Sequence, residues 1–310
     1  MEQTAAVPRT IIDALSEWGR VFEHEPLKGH TTFRTGGPAD VLVMPSDNRS
    51  VARIVSVARE ARVPLTVIGG GSNLLVGDRG IAGIVMRLCE DDARPAVISV
   101  LEDGSVYTDA IAGKDRFIEF AITSGFGSVE FMAGIPGCMG GGIMMNAGTY
   151  MGSFVDILID ADIVDAEGNA RTVKIDRSMS SYRHMNIDAG AIVTGARFRL
   201  ARTEDPGRVR ERVEDILADR KGKHPLEYPS AGSVFKNPDG HSSWKLIDEA
   251  GLKGARIGGA AVSTLHTNFI INIDNATSRD VRELIDLVRE TVQKKFGIEL
   301  ETEVKMIGSF

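Results

Sequence analysis

VIGGGSNLLV, residues 67–76, sets three consecutive glycines, Ser72 and Asn73 between two apolar runs. A glycine triplet leaving a strand lets successive backbone N–H groups turn toward one point, which is the geometry of a diphosphate nest. Gly69, Gly70, Gly71, Ser72 and Asn73 are therefore the first cofactor candidates. No Gly-Lys-Ser/Thr follows, and Leu74 stands where a dinucleotide fingerprint places its third glycine, so neither common phosphate loop is present. Taken alone, a glycine run between strands is first of all a tight turn. The flanking sequence has to decide.

Upstream, Pro64 starts a strand at 65–68. Before it, Val51, Ile54, Val55 and Ala58 make one stripe of a helix that Asp47 can cap, and residues 41–44 form another apolar strand. HTTFRTGGPAD, residues 30–40, puts Arg34 beside a Gly-Gly-Pro break; such an arginine is ordinarily a solvated charge, with contact to a cofactor phosphate as the alternative. The chain opens on Ile11, Ile12, Leu15, Trp18 and Phe22 at helical spacing, a short amphipathic helix. Downstream of the triplet, residues 81–88 again read as a strand, where a Rossmann unit would open a helix. A hairpin about Asp103-Gly104 follows, then a helix through Phe117, Phe120, Ala121 and Ile122 that ends at Gly125.

A second glycine-rich stretch has seven glycines from Gly134 to Gly152 and no charge between Glu130 and Asp156. Two readings weigh equally here: main chain approaching a flat or extended ligand, and a buried, glycine-packed helix start. Alternating apolar residues turned at Glu167-Gly168-Asn169 form a hairpin, and residues 191–200 another strand. Between them, Arg183 beside Tyr182 is either a surface residue or a guanidinium directed at a carboxylate in a cleft. Glu204-Asp205-Pro206-Gly207 marks a domain boundary, followed by a polar helix through Val209, Val213, Ile216 and Leu217.

Residues 220–240 gather Arg220, Lys221, Lys223 and Lys236 in an otherwise acidic chain, with Ser233 between Gly232 and Val234. A serine after glycine is most often a turn former, and no G-x-S-x-G elbow marks a hydrolase. Trp244, Leu246, Ile247 and Ala250 predict a short helix and residues 269–273 a strand. A long helix runs from Asp280, capped by Ser278 and closed by Gly297. The tail after it alternates like a strand, with Glu299, Glu301 and Glu303 on one face.

At 310 residues there is room for two or three domains, and 43% hydrophobic with 25% charged residues is an ordinary globular composition. The net charge of −7 argues against a general nucleic-acid or anionic-membrane binder. Two distant cysteines without a CxxC suggest neither a disulfide framework nor a thiolate metal site, and fit a reducing compartment. The histidines are scattered without metal-ligand spacing, so no metal is expected. The N-terminus lacks a signal-like apolar core, and residues 131–155, the longest uncharged run, are too glycine-rich for a membrane span. A cytoplasmic protein is expected.

Taken in order, TTFRTGGPAD, VIGGGSNLLV, AGIPGCMGGGIMMNAG, SYR, YPSAGSVFKNP, LIDEAGLKGARIGGAAVS, HTNFIIN and LETEVKMIG carry a resemblance that covers nearly the whole chain after about residue 25. The sequence resembles the UDP-N-acetylenolpyruvoylglucosamine reductases, the flavoenzyme family usually called MurB, of the variety without the extra substrate-covering tyrosine loop. The resemblance implies an α+β fold: a two-part FAD-binding module of the PCMH or vanillyl-alcohol-oxidase type and a C-terminal α+β substrate domain. The expected boundaries are 1–90, joined by the C-terminal strand 299–310, for the first FAD-binding part, 91–204 for the second and 205–298 for the substrate domain.

The resemblance further implies NADPH-dependent, FAD-mediated reduction of UDP-N-acetyl-enolpyruvoylglucosamine to UDP-N-acetylmuramate in cell-wall precursor synthesis. Hydride from the reduced flavin reaches the enol carbon, and Ser233 donates the proton to its neighbour. Arg183 and Glu303 match the residues that stabilise the substrate carboxylate and its enolic intermediate. FAD contacts fall on Arg34, Gly69, Gly70, Gly71, Ser72, Asn73, Gly134, Ile135, Pro136, Gly137, Gly141, Gly142, Asn146, Ala147, Gly148 and Ile192. Substrate contacts fall on Tyr182, Lys223, Lys236, Asn237 and His266. NADPH is the co-substrate, a UDP sugar the partner, and a monomer without metal, nucleic acid or membrane is expected. Cys138, Met139, Met144, residues 149–151 and His224 depart from the family's usual forms. Two alternatives stand beside this reading: an alcohol oxidase on the same module, and a flavin- or nucleotide-binding protein without turnover.

Overall fold

The computed structural model describes residues 7–310. The chain divides into two compact units. The first runs to Glu23 and takes in Val41–Gly70 and Gly83–Asp219; the second is His24–Asp40, Gly71–Ala82 and Arg220–Phe310.

Helix α1 spans Arg9–Ser16 and buries Ile12 and Leu15. It is shorter than the apolar spacing predicts, because the chain turns after it and Phe22 falls within strand β1, Gly19–Pro26. β2 spans Pro38–Pro45, and helix α2, Asn48–Glu60, begins where the Asp47 carboxylate accepts the Ser50 N–H at 2.7 Å. Its buried stripe is the predicted one, Val51, Ile54, Val55 and Ala58. Strands β3 (Leu65–Ile68), β4 (Leu74–Val76) and β5 (Ile81–Arg87) follow, and β3 pairs in parallel with β5 from Leu65↔Ile84 to Ile68↔Arg87. The four-stranded sheet has the order β1-β2-β5-β3.

β6 (Ile98–Val100) and β7 (Val106–Asp109) make the predicted hairpin. They lie at one edge of a five-stranded sheet that continues through Ile192–Phe198 to Leu158–Val164 and Ala170–Lys174. The last two strands turn where Asp165 accepts the N–H groups of Glu167 and Asn169, an Asx-type turn. Helices α3 (Lys114–Thr123) and α4 (Met139–Met144) complete the first unit's core, in which Phe117, Phe198, Phe154 and Phe131 form a chain of rings at centroid spacings of 5.1, 6.2 and 5.8 Å.

Helix α5 spans Pro206–Lys223, and α6 spans Ser243–Glu249. The second unit's four-stranded sheet orders Ser230–Ser233, Phe269–Asn272, Ala260–Val262 and Arg256–Ile257. Helix α7, Ser278–Phe296, packs Val281, Leu284, Ile285, Val288 and Val292 into this unit's core. Its cap is Thr277 rather than the predicted Ser278. Thr277 and Asp280 form a reciprocal capping box, while the Ser278 N–H and hydroxyl are taken by Asp78 and by the Val76 carbonyl. Gly297 ends the helix at φ 72°. No helix among the described residues is long and apolar enough to cross a membrane.

Replacing Thr277 by alanine removes one side of the capping box. The expected loss is about 1 kcal/mol of stability, measured as a lower urea midpoint; an unchanged midpoint would show that Asp78 alone suffices.

Candidate active site

In the second unit, Ser233 ends its strand opposite Phe269, after Gly232 at φ 73°. The chain then leaves that pairing and turns to the C-terminal tail. The Val234 carbonyl accepts the Glu303 N–H at 2.8 Å, Phe235 bridges Thr302, and the Lys236 N–H donates to the Glu301 carbonyl at 2.9 Å. Ser233 and Glu303 therefore flank one peptide hydrogen bond. Both are half-buried.

Two asparagines lock this ladder. Asn268, 5% exposed, accepts the Phe235 N–H at 3.0 Å and donates to the Phe235 carbonyl at 2.9 Å, while its own carbonyl accepts the Val234 N–H. Asn73, from the glycine turn, donates to the Glu303 carbonyl at 3.0 Å and accepts the Lys305 N–H at 3.0 Å through its own carbonyl. The Asn268 carboxamide is suited to its part because it carries a donor and an acceptor together. Only Lys305–Ile307 of the tail is a strand, paired in parallel with β4. The predicted alternation stops at Glu303, which lies in a bend because Asn73 and Val234 hold its peptide groups from either side.

The substrate candidates of this unit have varied surroundings. Lys236 pairs with Glu301, and the Asn237 carboxamide oxygen accepts the Ser243 N–H at 3.0 Å at the start of α6. Lys223 lies exposed in the last turn of α5. His266 stacks among Phe269, His224 and Trp244 at 4.9, 5.5 and 6.3 Å, and burial lowers its pKa below the ordinary histidine value, favouring the neutral ring. Arg34, exposed and left-handed at φ 57°, borders a cavity of about 500 Å³ with Lys28, Asp78, Asn272 and Asp274.

The first unit sorts the glycines by what a side chain would strike. A Cβ on Gly142 would lie 2.7 Å from the Phe154 ring, one on Gly140 2.9 Å from Ala110, and one on Gly148 2.5 Å from the Gly152 carbonyl. These three have a packing reason. Gly141, in contrast, faces open space. Gly70 would meet the Gly137 Cα at 2.9 Å, so the two glycine stretches approach backbone to backbone. Among the described residues, the N–H groups of Gly69, Gly70 and Gly137 donate to no acceptor within the chain. A tight all-glycine cradle with uncommitted donors fits a diphosphate. Gly71, in the second unit, is left-handed at φ 66°, and a Cβ there would strike the His30 carbonyl at 2.0 Å.

Ile135 caps a turn through its N–H to Met132, and the Pro136 carbonyl accepts Lys114 Nζ at 2.8 Å. Asn146 accepts the Val155 N–H at 3.1 Å and donates to the Ser181 carbonyl at 3.4 Å, which ties Ala147 and the rest of the glycine stretch to the small hairpin carrying Tyr182 and Arg183. Arg183 sits at φ 60° with its guanidinium 4.8 Å over the Tyr182 ring. Ile192 is buried at the start of its strand. The structure thus joins Asn73, Ser233 and Glu303 in the second unit, and Asn146 with the Arg183 hairpin in the first.

Sequence reasoning missed three features. Asn268 lies within the quoted HTNFIIN but shows its use only once Phe235 is opposite it. Lys114, 4% exposed, carries no local signal of burial. Cys89 and Cys138, read as unrelated, place their sulfurs 2.8 Å apart as free thiols.

The chain is similar to known proteins over nearly its whole length. Residues 39–174 match the model of an FAD binding domain, and residues 224–307 match that of the C-terminal domain of UDP-N-acetylenolpyruvoylglucosamine reductase. UDP-N-acetylenolpyruvoylglucosamine reductase of Agathobacter rectalis is 42% identical over 97% of this chain and 98% of its own length. That of Rhodopseudomonas palustris is 43% identical over 94% of this chain and 92% of its own. The crystal structure of the Thermus caldophilus reductase superposes with a TM-score of 0.75 at 32% identity, covering 93% of this chain and 98% of that one.

Replacing Asn268 by alanine leaves the buried Phe235 N–H and carbonyl without their partner. Each costs about 1–3 kcal/mol, so a marked fall in urea midpoint is expected; a midpoint within experimental error of the parent would remove Asn268 from its place as the ladder's lock.

Proposed function

The chain belongs to the UDP-N-acetylenolpyruvoylglucosamine reductase family, and we propose on that premise that it reduces UDP-N-acetyl-enolpyruvoylglucosamine to UDP-N-acetylmuramate with NADPH in peptidoglycan precursor synthesis. It is an FAD-dependent oxidoreductase. FAD, when bound, would supply hydride transfer between NADPH and the methylene carbon of the enolpyruvyl ether. The remaining work falls to side chains. Hydride on that carbon leaves negative charge on its neighbour, the carbon that bears the carboxylate.

Arg183 holds the carboxylate with paired N–H groups while that charge spreads onto it, and the Glu303 carboxyl completes the stabilisation. The Ser233 hydroxyl gives its proton to the charged carbon. A serine hydroxyl is a weak acid, and it serves here because the carbon it protonates is strongly basic. The observation that carries this reading is the ladder between residues 233–236 and 301–304, which fixes Ser233 and Glu303 on either side of one peptide hydrogen bond.

The diphosphate of FAD is assigned to Gly69, Gly70, Gly71, Ser72 and Asn73 with Gly134, Ile135, Pro136 and Gly137. Arg34, Gly141, Gly142, Asn146, Ala147, Gly148 and Ile192 are assigned to the rest of the cofactor. For Gly142 and Gly148 the assignment rests on main chain, since their missing side chains already serve packing. Tyr182, Lys223, Lys236, Asn237 and His266 are assigned to the UDP sugar. The proposal extends to a protein that acts as a monomer in the cytoplasm.

The purified protein is expected to be yellow, to bleach with NADPH and to regain colour anaerobically when the enolpyruvyl substrate is added. Failure to reoxidise with that substrate would overturn the reading. Ser233→Ala is expected to bleach normally and to lose product formation on the order of 100-fold to 10,000-fold. Parental turnover in that variant would dismiss Ser233 as the proton donor.

A further inference from the structure

Cys89 and Cys138 come from two separate stretches of the first unit and meet with their sulfurs 2.8 Å apart, the Cys138 thiol donating to Cys89. Cys89 is partly exposed; Cys138 is 2% exposed. Cys89 follows Leu88, whose N–H donates to the Ile68 carbonyl just before the glycine triplet. Cys138 is the N-cap of α4 and follows Gly137, and its sulfur is 3.6 Å from where a Cβ on Gly70 would stand. The pair therefore sits directly behind the close approach of the two glycine stretches.

We propose that Cys89 and Cys138 are a reversible redox site, a peroxide-reactive thiol pair that closes to a disulfide beside the cofactor-diphosphate cradle. The surroundings assign the roles. Donation from the Cys138 thiol is the chief reason the Cys89 pKa falls to about 7, with Arg87 helping and burial, Glu90 and Asp91 opposing. The same hydrogen bond and burial push the Cys138 pKa upward, against Lys114 and Arg87. Lys114 is itself depressed to about 8 by burial, with the Cys138 and Cys89 sulfurs and Asp115 pulling the other way. Cys89 is the attacking thiolate and Cys138 the resolving thiol.

The oxidant is a hydroperoxide. The Cys89 thiolate attacks its terminal oxygen, an S–O bond forms as the O–O bond breaks, and the departing alkoxide or hydroxide takes a proton. The Cys138 sulfur then attacks the sulfenic sulfur: the S–S bond forms, the S–O bond breaks and water leaves with the thiol proton. Two thiols lose two electrons in all, and the peroxide is reduced to an alcohol, or to water, plus water. A small dithiol reverses the change by exchange.

Closing the bond shortens the 2.8 Å sulfur separation and so shifts Cys138, and with it Gly137, relative to Gly70. The uncommitted Gly137 N–H moves with it. Oxidation is therefore expected to weaken retention of FAD, a consequence that rests on the cofactor assignment above, whereas the thiol chemistry does not.

The test is intact mass of the purified holoprotein after hydrogen peroxide. The expected result is a monomer lighter by about 2 Da, restored by dithiothreitol. Cys138→Ser is expected to stop at a sulfenic acid, heavier by about 16 Da and trapped by dimedone, and Cys89→Ser to give neither product. Alkylation of Cys89 by iodoacetamide is expected to accelerate as pH rises from 6 to 8, because the thiolate is the reactive form and forms through about pH 7. Persistence of both thiols, or a disulfide only between chains, would overturn the proposal. After desalting, the oxidised form is expected to keep several-fold less flavin than the reduced form; equal flavin in a sample whose mass shows the disulfide would overturn the coupling to the cradle.

Discussion

The hydrogen bond from the Glu303 N–H to the Val234 carbonyl is the interaction on which the candidate chemistry of the second unit hangs. It joins residues sixty-nine positions apart, and a peptide hydrogen bond contributes only about 0.5–1.5 kcal/mol net. It cannot by itself repay the entropy of bringing two such distant segments together. Burial does that. Val234, Phe235, Leu300 and Val304 all lie in one core cluster with Leu75 and the inner face of α7, and each such side chain contributes about 1.5–3 kcal/mol when removed from water. Packing thus decides that the two segments meet. The hydrogen bond and its asparagine locks decide the register, and register is what sets Ser233 and Glu303 on either side of one peptide hydrogen bond.

In the first unit the corresponding constraint is an approach too close for any side chain. Glycine in a ligand-binding stretch is easily credited wholesale to the ligand. The geometry separates two cases within one run: Gly140 and Gly142 are glycines because Ala110 and Phe154 already occupy the space, while Gly141 faces open space. The helix-start reading thus holds for the part of the stretch that opens α4 at Met139.

Legibility followed the range of the interaction. The α2 cap and stripe, the two hairpins and the α7 stripe were readable because helical and strand periods, Asx turns and caps act over a few residues. The α7 cap slipped by one because Asp78 and the Val76 carbonyl, two hundred positions away in sequence, engage Ser278. The tail's alternation was a fair local signal, defeated at Glu303 by Asn73. The thiol pair was invisible, since nothing in a spacing of forty-nine residues announces that β5 and α4 bring their ends together. Within the candidate site, residue types came through the family resemblance. The ladder that positions them had no sequence signature at all.

Backbone strain gives an argument independent of that resemblance. Among the described residues, seven that are not glycine adopt positive φ, and Arg34, Asn146 and Arg183 are three of them. Such conformations cost on the order of 1–3 kcal/mol each and persist where surroundings over-determine them. At Asn146 the surroundings are visible: its side chain is held at both ends, by the Val155 N–H and the Ser181 carbonyl. That second bond anchors the hairpin on whose tip Arg183 is turned, so one strained residue supports the other. A surface arginine free to choose its backbone would relax to negative φ. Arg183 is kept from doing so by a two-residue strand on each side, since the tight loop between them takes positive φ, and by its own stacking on Tyr182.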